Sequence, residues 1–567
     1  MLIKDVYPSK AQYLNGENIK IIVELSNKEF KSKSGYIIRC DIFHLNDRIL
    51  QFESDLKNEE LKEFEFNIKC DNESMAGFGV NVSLFNGNEL IEGATTSFDV
   101  VKNLMYAPRY GFISDFFESD KDDYNDLKEL NKFHINLIQF YDWMYRHHEL
   151  IPPTEKFKDP LGRDLSINVV KQKIELAHEY GMKAMAYGAV YGSESEFFEK
   201  HKDWALLNNN DEYYEFANFI YIMDISKECE WHQHIIKEFF NAIKFGFDGI
   251  HMDQYGFPKE AVSVKDGLKR LRRLKDDFPE LINDAKSYIE NNGYDVELIF
   301  NAVNNWPIDS VIDSKQDAVY IEVWPPNDTY QDLYNLIANV KKRGTTKQVI
   351  LAAYMKPFSK SENTNIEYAE NATILTMASI FASGGFHLLL GEENGILTEG
   401  YYPNYFKISD KRFICELRNY YDFIVRYEEL LYGFDIIDDT MTYTGGINEE
   451  YVFKGAKFSP IAKVDSVWTI IKEKPGYKII NFINFTGIKN MNWNEGKEKR
   501  PNLLRDIEVV ALVVEDVKEV FVASPEINHG HPQKISYEYV THEQGRAIRF
   551  IIPELYIWDL VYITVEV

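Results

Sequence analysis

Over residues 1–102, apolar side chains recur at every second position in short runs: NIKIIVEL, YIIRCDIFHL, FEFNIKC, GVNVSLF and TTSFDVV. β-Branched and aromatic residues at that period predict half-buried strands. Between them SNKEFKSKSG, NDR and FNGNE carry turn chemistry. An immunoglobulin-like β-sandwich is the expectation for this segment.

From about residue 103 the period changes. Strand-like apolar runs at 110–116, 135–143, 183–192, 247–256, 297–306, 317–326, 348–357 and 386–395 alternate with long amphipathic stretches. INVVKQKIELAHEYG, WHQHIIKEFFNAIKFG and IEYAENATILTMASIFASGG place apolar residues near i, i+3 and i+4 and end close to glycine. Eight strand–helix units over 103–434 predict a (β/α)8 TIM barrel. A doubly wound open sheet is the alternative, but no GxGxxG loop follows the first run. From 435 to 567 helices vanish, SVWTIIKEKPGYKIINFINF reads as a hairpin about Lys474-Pro475-Gly476, and a Greek-key β-sandwich is expected.

Composition narrows the ligand. The chain holds 63 basic and 90 acidic residues, a net charge of −27. That charge repels phosphate backbones and anionic membrane surfaces, so nucleic acid and membrane partners are not expected. Aromatics reach 14%, enough to furnish large cores and also faces that stack on sugar rings. Cys40, Cys70, Cys229 and Cys415 have no zinc spacing. Cys40 and Cys70 share the N-terminal β region and could pair, although isolated reduced thiols are the favoured reading. The opening MLIKDVYPSKAQYLNG lacks the apolar run of a signal peptide. As written the chain reads as cytoplasmic, or as secreted if a leader has been removed.

In barrels of this kind the active site forms at the C-terminal ends of the strands. Those ends supply Asp115; Asp142 and Trp143; Tyr187 and Tyr191; Asp253; Asn301 and Asn304; Glu322 and Trp324; Tyr354; and Glu392. Acids, amides and aromatics with almost no basic residue suit a neutral polyhydroxyl ligand, and Lys356 alone stands near a strand end. Two-residue alternation groups Gly249, His251 and Asp253 on one face, and Tyr320, Glu322 and Trp324 on another. Carboxylates from strands four and six can therefore meet across the pocket mouth, as glycosidic bond cleavage requires. Each acid also has a bland reading, as a helix cap or a partner for arginine. His251 with Asp253, supplemented by His147 or His148, is a weaker metal-ligand reading, and no metal or cofactor is expected.

GFDGIHMDQYG, AVNNW, YIEVWPP, LIQFYDWMYRHHELIPP and LAAYM resemble the barrel motifs of glycoside hydrolase family 66, the dextranases and cycloisomaltooligosaccharide glucanotransferases. The resemblance covers the whole barrel and the β, barrel, β order. It implies a retaining mechanism with Asp253 as nucleophile and Glu322 as acid/base. Substrate contacts would fall on Asp142, Trp143, Tyr187, Asn301 and Tyr354, with no metal in the chemistry. Val323, Trp324 and the charge of Asp253 would raise the Glu322 pKa. The family's cyclising transferases carry a carbohydrate-binding insert. The widest gap between strands, read as Trp143 to Lys183, holds one helix and no such domain. Expected, then, is an endo-dextranase cutting internal α-1,6 linkages of dextran or shorter imported isomaltooligosaccharides. Alternatives are the cyclising transferase, an α-glucosidase of another barrel family, and a non-catalytic glucan-binding protein. Retention of both carboxylates argues against the last.

Overall fold

The computed structural model describes residues 2–26, 35–56, 60–70 and 75–566; the turn at SNKEFKSKSG lies almost wholly outside the described residues. Two antiparallel-rich sheets occupy the N-terminal region. Ile3–Pro8, Asn18–Leu25 and Leu61–Asn67 form one; Tyr36–His44, Asp47–Asp55, Met75–Asn86, Glu89–Val101 and Tyr13–Leu14 form the other. Their inward side chains, including Ile21, Val23, Ile38, Cys40, Val80 and Val82, make a core of their own. No disulfide joins cysteines among the described residues, and Cys40 is a buried core thiol.

The middle of the chain builds one curled sheet. Its parallel strands are β1 (Tyr110–Ile113), β2 (Leu137–Phe140), β3 (Lys183–Ala189), β4 (Gly249–Asp253), β5 (Glu297–Asn301), β6 (Ala318–Glu322) and β7 (Val349–Ala352). They lie in sequence order, which excludes the doubly wound alternative. The eighth segment, β8, comes in two pieces: Phe386–His387 pairs with β7, and Leu390–Gly391 pairs with β1 through Gly391 and Phe112. The sheet thus curls until one interrupted segment touches both of its ends. β1, β2 and β7 are buried at every position, as expected of parallel strands covered on both faces. All eight strands end earlier than the apolar runs suggested. The residues beyond are loop residues, apolar because they line a cleft or pack under the surrounding helices.

Helices α1 (Asn125–Lys132), α2 (Ile167–Glu179), α3 (Glu230–Phe245), α4 (Leu274–Asn291), the single turn α5 (Ile308–Val311), α6 (Tyr330–Lys341), α7 (Ile366–Ser383) and α8 (Lys411–Arg426) follow the strands in turn. α7 is buried on almost every side. Its hydroxyls at Thr373, Thr376, Ser379 and Ser383 donate to carbonyls four residues back, which satisfies polar groups where water cannot reach. Gly384 closes the helix at φ 91, a left-handed position that glycine adopts without strain. None of the described helices is long and apolar enough to cross a membrane. The longest connection runs from β3 to β4, rather than between β2 and β3 as the sequence reading had it. It carries a small sheet of Gly192–Glu194, Ile220–Ile222 and Glu215–Phe216.

Two further sheets close the chain. Val467–Lys474 and Tyr477–Asn484 form the expected hairpin, turning at Pro475-Gly476 with Gly476 at φ 83, a type II arrangement. Their alternate residues serve two cores. Ile471, Ile480 and Phe482 face the second C-terminal sheet, whereas Trp468, Ile470, Ile479 and Ile483 face the helix ring. Burial on both faces explains why that stretch is apolar nearly throughout.

Candidate active site

Asp253 closes β4 and Glu322 closes β6, with Asn301 ending β5 between them. The strand order brings all three to one end of the curled sheet. Asn301 Nδ2 donates to Asp253 Oδ1 at 2.7 Å and to Glu322 Oε2 at 3.1 Å. Those two oxygens therefore lie no farther apart than the two contacts laid end to end, about 5.8 Å. Each carboxylate has a phenol on its remaining oxygen. Tyr187 Oη donates to Asp253 Oδ2 at 2.8 Å, and Tyr354 Oη donates to Glu322 Oε1 at 2.7 Å. Among the described residues no lysine, arginine or histidine forms an ion pair with either acid. Burial and the negative charge of Glu322 push Asp253 up to about 7, against the hydrogen bonds from Asn301 and Tyr187.

The pair sits in a cleft of about 1050 Å³ lined by Tyr141, Asp142, Tyr187, Trp306, Trp324 and Tyr402 among others. Asp142 stands at φ 48 and its carboxylate receives no hydrogen bond among the described residues. Burial raises its pKa to about 6 in spite of Arg163 and His147 nearby. An acceptor left unsatisfied at the cleft wall is available to a ligand hydroxyl. Gly400 keeps the cleft open beside the acid: a Cβ there would fall 3.3 Å from Glu322 Oε1 and 3.5 Å from the Trp324 ring.

Not every expected residue reaches the cleft. Trp143 does not. It is fully buried, donates from Nε1 to the carbonyl of Tyr187 at 3.2 Å, and packs on Phe247 at 4.4 Å. β2 ends at Phe140, and the left-handed turn at Asp142 breaks the alternation on which its placement depended. Tyr191 is buried beneath the cleft with its hydroxyl on the carbonyl of Phe257. Glu392 is enclosed by Ser114 N and Oγ, Asp115 N and Lys173. His251 does line the cleft, with its Nδ1 3.2 Å from Tyr110 Oη, and burial lowers its pKa to about 3. His147, which also lines the cleft, and His148 both engage Glu194. No group of three or more His, Cys, Asp or Glu is arranged to hold a metal among the described residues.

Other lining residues escaped the sequence reading. Tyr141 stacks on Tyr402 at 4.2 Å and donates to the carbonyl of Gly400 at 3.0 Å. Phe216 comes from the small sheet before β4, and Trp493 and Asn494 come from the C-terminal region. None lies at the end of one of the parallel strands, so no periodic signal marked them; Tyr141 beside Asp142 was the one within reach.

The model of glycosyl hydrolase family 66 matches residues 8–562. A cycloisomaltooligosaccharide glucanotransferase of Niallia circulans is 25% identical over 711 aligned positions, covering 99% of this chain and 71% of the relative. A dextranase of Streptococcus salivarius is 24% identical over 513 positions, covering 77% of this chain and 60% of the relative. The crystal structure of a Paenibacillus cycloisomaltooligosaccharide glucanotransferase, complexed with cycloisomaltoheptaose, superposes with a TM-score of 0.86 at 21% identity over 99% of each chain. The chain belongs to glycosyl hydrolase family 66.

Proposed function

We propose that the chain is an endo-dextranase, hydrolysing internal α-1,6-glucosidic bonds with retention on a (β/α)8 barrel closed through the two pieces of β8. The observation that carries the retaining reading is the shared amide of Asn301, which holds the two carboxylate oxygens within about 5.8 Å. Retaining enzymes place their carboxyl groups roughly 5–5.5 Å apart, whereas inverting enzymes need about 6.5 Å or more to admit a water. In this mechanism Asp253 attacks the anomeric carbon and forms a glucosyl ester while Glu322 protonates the departing glycosidic oxygen. Glu322 then takes a proton from water, which attacks the same carbon and releases the sugar with its α configuration. Asn301 and Tyr187 steady the nucleophile, Tyr354 steadies the acid, and Asp142 accepts from a glucosyl hydroxyl. The pair carries one proton between its members in the reactive state.

The chain is shorter than the Niallia transferase over the matched span. The match to the Niallia transferase spans 711 positions against the 567 residues here, so the relative carries residues with no counterpart in this chain. The transferase reading draws on the relatives' names: two of the curated ones and the superposed structure are cycloisomaltooligosaccharide glucanotransferases. Incubation with dextran, followed by chromatography of the products, separates the two: linear isomaltooligosaccharides are expected, and cyclic sugars would replace the dextranase reading. Proton NMR of the first-released ends should show α anomers; β anomers would end the retaining mechanism. Asp253→Asn and Glu322→Gln should each lower reducing-sugar release by roughly 10³-fold or more with folding intact. Near-parental activity in either would remove the assignment.

A further inference from the structure

The C-terminal region does more than brace the curled sheet. Its loop from Met491 to Lys497 lies against the segment that follows Glu322. Tyr330 N donates to the carbonyl of Met491 at 3.0 Å, and Trp493 N donates to that of Asp328 at 2.9 Å. Trp493 Nε1 reaches the carbonyl of Asn327 at 2.8 Å, and Asn494 Nδ2 reaches Asp328 Oδ1 at 2.7 Å. Buried Lys497 pins the loop internally, its ammonium donating to Asn490 Oδ1 at 2.8 Å and to the carbonyls of Asn492 and Glu495. From the opposite side Asn304 Oδ1 accepts from Trp324 N at 2.6 Å and from Asn327 Nδ2 at 3.2 Å. The post-acid segment is therefore clamped between β5's loop and a loop of another domain, and both Trp493 and Asn494 open onto the cleft.

We propose that Asn494 and Trp324, which line the same cleft, form a sugar subsite on the leaving-group side of the cut, built jointly by the barrel and the C-terminal sandwich. This rests on the glucan-hydrolase reading. Glu322 delivers its proton to the departing sugar, so the wall that continues from Glu322 through Trp324 and Pro325 flanks the departing chain rather than the sugar on Asp253. Trp324 is 40% exposed beside that path, an apolar face on which a pyranose can pack. The Asn494 amide spends its nitrogen on Asp328 and leaves its oxygen as an acceptor at the wall, suited to a hydroxyl of a neutral glucan. Because the loop is held by five or more hydrogen bonds, such a subsite is formed before substrate arrives.

The test uses the full-length Glu322→Gln variant, in which bound sugars are not consumed, and calorimetric titration with isomaltooligosaccharides of increasing length. Adding Asn494→Ala should weaken the longer oligosaccharides by about 2–10-fold, the value of one hydrogen bond, while isomaltose changes distinctly less. Trp324→Ala should act on the same lengths by about tenfold, and the double variant should lose less than the product of the two. A loss equal at every length would mark Asn494 as a general structural prop and overturn the proposal, as would no loss at any length. If the Glu322→Gln parent binds no isomaltooligosaccharide, the glucan reading falls and takes the subsite with it. If it binds and ignores Asn494, the subsite alone falls.

Discussion

Two carboxylate pairs sit at different places in this molecule, one fully buried and one half-buried at the cleft, and they are given different partners. Asp99 and Glu428 meet where the N-terminal sheets abut the helix ring. Between them lies fully buried Arg109, whose guanidinium donates to both Asp99 oxygens at 3.0 Å and to Glu428 Oε2 at 3.1 Å. The same side chain also reaches the carbonyls of Ala11 and His134. Asp253 and Glu322 have only neutral donors, two phenols and one amide. Removing charge from water costs several kcal/mol per ion unless a partner and further hydrogen bonds offset it. At the junction Arg109 offsets part of that cost, although burial and the charge of Asp99 still hold Glu428 well above the usual carboxylate range, and the cluster joins three parts of the chain. In the cleft, among the described residues, no cation meets the pair, and burial with the charge of Glu322 raises Asp253 to about 7, a perturbation of the kind found at functional sites. Glu392, also at a strand end, differs from the cleft pair in having Lys173 3.7 Å away, yet burial still pushes it up to about 7.

Breaking the junction should give the largest effect on stability. Arg109→Leu leaves two buried carboxylates without their cation, so a loss of about 3–5 kcal/mol is expected. It would be read as a lower urea midpoint or a failure to accumulate folded protein. A variant with parental stability would mean that the cluster is not a weld. On the cleft side, Asn301→Ala removes the one donor common to both acids while leaving the junction alone. Its effect should fall on kcat for dextran, by roughly 10–100-fold, with the urea midpoint almost unmoved. Tyr354→Phe should act in the same direction and less, because Glu322 keeps the Asn301 contact.

The contrast also marks how far the sequence could be read. The strand-to-helix alternation was legible because periods of 2 and 3.6 are imposed by backbone geometry, and so was the turn at Pro475-Gly476. Asp253, Asn301 and Glu322 were legible as last residues of parallel strands, and Tyr354 as a residue just beyond the end of β7. What could not be read was the partner of each acid. Glu322 and Glu392 look alike along the chain, and only the fold sets Lys173 of α2 beside one and a tyrosine beside the other. Trp143 failed for a local reason: one left-handed residue at Asp142 turned the indole away from the cleft. Trp493 and Asn494 failed for a global one, because they lie about 170 positions from the acid they flank and no pattern links a loop to the domain it docks on.

The smallest expected effect is the most specific to an uncompensated pair. Asp253 titrates near 7 in the folded chain and near 3.8 when exposed. A carboxyl whose folded pKa is raised binds its proton more tightly when folded, so its contribution to stability is most favourable at low pH and declines as pH rises between those values. Above about 7 the folded group is ionised as well and the decline stops. Asp253→Asn removes the titration but keeps the shape, so it should stabilise the chain progressively from about pH 4 to pH 7 and then level off. Water entering the open cleft relieves part of the desolvation. The gain should therefore be on the order of 1–2 kcal/mol, a Tm rise of about 1–3 °C. The activity of the parent should show the same group from the other side. Asp253 attacks as the carboxylate, so hydrolysis should fall as pH drops below about 7. A Tm difference that is the same at pH 4 and pH 8 would show that Asp253 is not strained by its burial, and the division between the two carboxylate pairs would lose its physical basis.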